Sequence, residues 1–95
     1  MSADDACSEE ECAEFVRALA KLGVLGRVRA IADDHLTTLH DIRGRGRTRL
    51  VSRARAAAVL AVFENDRREL TLDYVGKIFG RHHSSILKMR QKGAA

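Results

Sequence analysis

Ninety-five residues allow one modest hydrophobic core and leave no room for a substrate domain beside it. Hydrophobic residues make up 45% of the chain and aromatics 4%, with neither tryptophan nor proline, a composition that points to an aliphatic core and an all-α chain. The net charge of +4 is unevenly spread: residues 1–14 hold six acids and no Lys or Arg, so residues 15–95 carry all 17 bases against seven acids, a net +10.

No apolar run approaches the roughly 20 residues that a bilayer span requires, and the acidic N-terminus is opposite in sign to a secretory leader. The expectation is a cytoplasmic protein with no membrane partner. Cys7 and Cys12 stand five apart, on different sides of a helix, and match no metal pattern, so they read as free thiols.

Residues 1–7 show no periodicity and read as a disordered tail. Ser8 followed by Glu11 has the form of a capping box; Cys12, Phe15, Val16, Leu19 and Leu22 then fall at helical spacing, and Gly23 stands where a C-cap belongs. A second amphipathic run uses Val24, Leu25, Val28, Ile31 and Ala32 and fades at Asp33, Asp34 and His35. Thr38 is placed to cap a short turn through Leu39 and Ile42.

The next thirteen residues, 43–55, contain six arginines and no acid. Alternating glycine and arginine in Arg43-Gly44-Arg45-Gly46-Arg47-Thr48-Arg49 disfavours helix and reads as an arginine-rich loop. Such a cluster is the footprint expected for a polyanion, because each neutralised phosphate releases condensed counterions; the alternative is a solvated basic stretch. Helix is expected again from near Ser52 to about Asn65, with Ala54, Ala57, Ala58, Leu60, Ala61, Val62 and Phe63 forming a wide face of small residues. Arg53 and Arg55 would lie in its first turns, where the dipole does not favour cations, and so are expected to answer to an outside partner.

Thr71 can cap a helix with Leu72, Val75, Ile78 and Phe79 inward and Gly80 at its end. A turn through Arg81 and His82 then leads to a last helix from about His83 to Gln91, with Ile86, Leu87 and Met89 or Arg90 on its inner side. Two short helices joined by a glycine-containing turn form the helix-turn-helix pattern, so the expected fold is a small helical bundle with a C-terminal helix-turn-helix. Gly76 within the first of these helices implies close approach of its partner helix.

The stretch from about Val28 to Lys92 resembles the C-terminal DNA-binding domain of the bacterial replication initiator DnaA. The resemblance rests on Arg47 to Arg55 entering an alanine-rich helix, on Glu69 to Gly80, and on Arg81-His82-His83-Ser84-Ser85-Ile86-Leu87. It divides the chain into an acidic N-terminal tail and helix, 1–23, and a DNA-binding domain, 24–95. Gly80 stands alone where the family has a glycine pair, and His82 replaces an aspartate that takes part in base reading, which bears on the sequence preferred. No Gly-x-x-x-x-Gly-Lys-Ser/Thr phosphate loop occurs, so the initiator's ATPase is not expected here.

The resemblance implies sequence-specific binding of double-stranded DNA in replication-initiation control or transcription regulation, at the bacterial nucleoid. His82, His83, Ser84 and Ser85 would reach major-groove base edges, and Arg47 or Arg49 would enter the minor groove. Arg45, Arg53, Arg55, Thr71, Arg81, Lys88, Arg90 and Lys92 would hold phosphates. Other replication proteins, or self-association through the N-terminal helix, are the further partners expected.

The blander readings of the same residues are a surface histidine pair, capping serines and solubilising arginines. His35, His40, His82 and His83 offer no ligand pair on one helical face, and no nucleophile stands with a positioned base and acid. Neither metal, cofactor nor enzymatic activity is expected. Two further classes fit: an assembly module that binds through Phe15, Leu19 and Leu22, and an RNA-binding module, for which stacking aromatics are scarce, with Tyr74 the lone tyrosine.

Overall fold

Capping side chains and left-handed glycines mark several of the helix ends. The computed structural model describes residues 8–44, 46, 48–65 and 70–94; Cys7 and the expected tail at 1–7 lie outside them. Among the described residues there are six helices and no strand.

Helix α1, Glu9–Leu22, opens on a complete capping box. The Ser8 hydroxyl accepts from the Glu11 amide at 3.2 Å, and Oε1 of Glu11 accepts from the Ser8 amide at 3.1 Å, which satisfies two of the amides that a helix start leaves unpaired. Gly23 ends α1 in the left-handed region, φ 77°, a conformation open to glycine at little cost. Helix α2, Leu25–Asp34, follows at once. Leu36 reverses the chain after it at φ 55°, the one described non-glycine residue with positive φ, and is 85% exposed. Helix α3, Leu39–Arg43, is capped by the Thr38 hydroxyl, which accepts from the Asp41 amide at 3.2 Å.

Helix α4 spans Arg49–Asn65 and starts three residues ahead of the expected Ser52. The reason is Thr48, whose hydroxyl accepts from the Val51 amide at 3.3 Å and supplies a cap inside the arginine run. Helices α5, Leu72–Phe79, and α6, His83–Ala94, follow, and α6 runs past the expected Gln91.

The core is one cluster drawn from all six helices: Phe15 and Leu19 of α1, Val28 and Ala32 of α2, Ile42 of α3, Ala54, Ala58, Val59 and Val62 of α4, Val75, Ile78 and Phe79 of α5, and Ile86 of α6. It is not purely aliphatic, because Phe15 and Phe79 are among its largest fully buried side chains. Nor is α1 an appendage at a boundary after Gly23. Phe15 and Leu19 are fully buried in this cluster and Leu22 packs against it, so the face expected to dock a partner or a second copy is used internally. The alanines of α4 serve the close packing expected of them: α4 lies along α6 and also contacts α2 and α3.

Candidate nucleic-acid interface

Which arginines of the 43–55 run face outward is decided by the phase of α4. Val51, Ala54, Arg55, Ala58 and Val62 share one buried stripe, at the spacing that a helix gives its inner face. Arg49 and Arg53 lie off it and are exposed. Arg53 lines an open groove between α2 and α4 with Arg27, Ile31 and Leu60, on a different side of α4 from Arg55.

Arg55 is the correction. It is 4% exposed, and its guanidinium donates to four backbone carbonyls: Nε to Ile42 at 2.8 Å, Nη1 to Gly46 at 3.0 Å, and Nη2 to Asp41 at 3.0 Å and Gly44 at 2.8 Å. A side chain so placed has no reach to a phosphate. Burial, then the nearby charge of Arg81, push its pKa down from the ordinary guanidinium range to about 10, with Asp41 acting the other way; it stays a cation at neutral pH.

Arg81, another expected phosphate ligand, is half-buried and also turns inward. Its Nη1 donates to the Phe79 carbonyl at 3.3 Å and its Nη2 to the Gly44 carbonyl. The arginine segment and the α5–α6 turn therefore meet at Gly44. A second contact joins the same two regions, since the Arg43 guanidinium lies against Gly80, where φ is 65° and a Cβ would collide with it. Arg43 also pairs with Glu11 of α1 at 3.4 Å.

The start of α6 is built by its histidines. Nδ1 of His82 accepts from the Ser84 amide at 3.2 Å, so this exposed side chain caps the helix through that nitrogen, and its ring lies 4.0 Å from that of His83. Nδ1 of His83 lies 3.3 Å from Oδ1 of Asp73, an exposed contact across the two helices. Thr71 is likewise used as a cap, accepting from the Tyr74 amide at 3.0 Å. Gly76 lets the turn and the start of α6 come close: a Cβ there would lie 2.5 Å from the Arg81 carbonyl oxygen and 3.7 Å from the His83 backbone nitrogen.

Along α6 the inward positions are Ser85, Ile86 and Met89, and the exposed ones are His83, Ser84, Leu87, Lys88, Arg90 and Gln91. Leu87 was expected inside and is 41% exposed; Ser85 was expected outside and is half-buried. Ser84, Leu87, Lys88 and Gln91 thus form one outward stripe at i, i+3, i+4 and i+7, on a helix whose sequence from 83 to 94 contains no acid. Arg90 stacks on Phe63, its guanidinium carbon 4.5 Å from the ring centroid, an arrangement that leaves donor edges of a guanidinium usable. Arg45, Arg47 and the side chain of Lys92 lie outside the described residues.

Sequence reasoning missed Arg43, Asp73, Leu87 and Gln91 as components of this region. Helical phase alone would have found Leu87 and Gln91, because they repeat Ser84 at i+3 and i+7. Among the described residues, no group of three His, Cys, Asp or Glu side chains is placed to hold a metal ion, and no helix is long and apolar enough to cross a membrane. Comparison of the chain with protein-family models, with curated proteins and with solved structures returns no match.

Proposed function

We propose that this chain binds double-stranded DNA sequence-specifically, with α5 and α6 acting as a helix-turn-helix whose second helix enters the major groove. The observation that carries the reading is the outward stripe Ser84, Leu87, Lys88 and Gln91 on an acid-free α6. A serine hydroxyl and a glutamine amide suit base edges, a leucine suits a thymine methyl, and a lysine suits a phosphate. Gly44, which accepts from Arg81 of the turn that begins this helix, precedes Arg45 and Arg47 in the sequence, and Arg49 at the start of α4 is exposed, a cation of the kind that a narrow A·T-rich minor groove attracts.

On this reading His83 and Ser84 are the α6 residues nearest the bases, while Arg49, Lys88 and Arg90 hold the backbone. Arg55 and Arg81 no longer belong among the phosphate ligands. The physiological setting proposed is replication-initiation control or transcription regulation, in keeping with the resemblance to the DnaA DNA-binding domain.

The test is a fluorescence-anisotropy titration against a randomised duplex and a duplex bearing a DnaA-type origin box, at two salt concentrations, with Ser84→Ala and Arg49→Ala. Box-selective binding weakened by Ser84→Ala, together with a salt slope reduced by about one for Arg49→Ala, is the expected result. Absence of binding to either duplex overturns the reading.

A further inference from the structure

Two arginines from different parts of the chain converge on one oxygen. Arg55 of α4 and Arg81 of the α5–α6 turn both donate to the carbonyl of Gly44, and the remaining bonds of Arg55 hold the carbonyls on either side of it, those of Asp41, Ile42 and Gly46. We infer that this shared-carbonyl bridge is a spacer: it fixes the distance between the start of α4, where Arg49 stands exposed, and the start of α6, and so sets the separation at which the protein reads two parts of one DNA site. The inference rests on the DNA-binding reading and adds to it that Arg55 and Arg81 are positioning residues.

Three observations carry it beyond ordinary packing. A buried guanidinium is an expensive way to fill a core, since taking a charge out of water carries a large desolvation cost, and burial opposes the charge here by pushing the pKa down to about 10. What an apolar side chain cannot supply is a planar fork of donors aimed at several carbonyls at once. Each bond of Arg55 ends on the backbone between Asp41 and Gly46, shortly before Arg49 opens α4. Finally, Arg81 sits immediately before the His82 cap of α6, so a bond from it to Gly44 ties that stretch to the first residues of the helix proposed to enter the major groove. The Arg43 contact with Gly80 closes the same gap from the other side.

The test uses the full chain and its Arg81→Lys and Arg55→Lys variants, each of which keeps the charge and loses the fork. Duplexes are enriched from a randomised pool with each protein, and the enriched motifs are compared. The wild-type motif is expected to hold an A·T-rich part and a second part at a single separation. With Arg81→Lys that separation is expected to spread by about one base pair or more, and preference for the wild-type's best duplex over the randomised pool to fall about tenfold, the effect of roughly one mismatched pair, while the salt slope stays unchanged. Should Arg55→Lys fail to fold, Arg81→Lys carries the test, because its side chain is only half-buried. An unchanged motif and spacing in a folded Arg81→Lys variant overturns the inference and leaves the DNA-binding reading standing. So does a loss of about one unit of salt slope with equal weakening on every duplex, which marks Arg81 as a phosphate ligand. A wild-type chain that enriches no sequence overturns both.

Discussion

Phe15 of α1 and Phe79 of α5 meet edge to face, their ring centroids 5.1 Å apart at an interplanar angle of 66°. Both are fully buried, and the contact joins the first helix to the one that ends at the α5–α6 turn. Phe15→Ala removes that ring from a close-packed core and is expected to cost roughly 3–5 kcal/mol, a large share of the stability of a domain this small. Urea denaturation followed by circular dichroism measures it. A loss below about 1 kcal/mol would mean that α1 does not pack as described.

Gly76→Ala sets two effects against each other. Replacing glycine by alanine within a helix gains about 1 kcal/mol in propensity, yet the new methyl would lie 2.5 Å from the Arg81 carbonyl oxygen, and backbone atoms yield poorly. The clash is expected to win, with a net loss of about 1–3 kcal/mol, visible as a lower melting temperature. A stabilised variant would show that the turn at Arg81 yields easily.

Arg55→Met should fold poorly, since it strips the guanidinium donors from the carbonyls of Asp41, Ile42 and Gly46 and leaves Gly44 with Arg81 alone, and each buried orphan carries a desolvation cost of about 1–3 kcal/mol. The pH dependence has a definite sign. A base whose folded pKa is depressed, here to about 10, is protonated in both states at lower pH, so it adds no slope to stability between pH 5 and 9. Its desolvation opposes folding by a constant amount over that range, and relief comes only as pH climbs above about 10. Melting curves across pH for the wild type and a folded Arg55 variant should therefore differ by a constant between pH 5 and 9.

The acids of α1 give a prediction about affinity. Glu11 already pairs with Arg43, and Glu14 lines the same groove, which places negative charge beside the arginine segment. Truncation is a poor probe, because it removes the Ser8 cap and Cys12 from a helix that the core needs. The variant Glu9→Gln, Glu10→Gln, Glu14→Gln keeps the helix and alters only exposed side chains. It is expected to tighten duplex binding about threefold to tenfold at low salt and to match the wild type at high salt, where screening removes the difference. Equal affinities at low salt would exclude an electrostatic role for α1.

Much of the fold was legible because helix ends carry local instructions. Ser8 with Glu11, Gly23, Thr38, Thr71 and Gly80 all act as the caps their residue types announce. The start of α4 was misjudged because Thr48 sits among glycines and arginines that argue for loop, and its single hydroxyl bond outweighed them. The arginines were harder. In the sequence Arg53 and Arg55 look alike, and a count of charge assigns both to a polyanion; only the phase set by Val51, Ala54, Ala58 and Val62 separates the solvated side chain from the buried one. His82 and Thr71 show the same limit, since a side chain able to meet DNA is equally able to cap a helix. Which of these uses prevails is decided by the backbone amides within its reach, and residue type does not report them.

Leu36 is where this chain leaves stability unclaimed. A leucine with 85% of its surface in water at φ 55° combines an apolar side chain that covers nothing with a backbone region disfavoured by roughly 1–2 kcal/mol for a residue with a Cβ. The α2–α3 reversal is thus an entry point for engineering a hardier and less adhesive protein: asparagine in its place tolerates the same dihedral and removes an exposed apolar side chain, without touching the core, the arginine segment or α6.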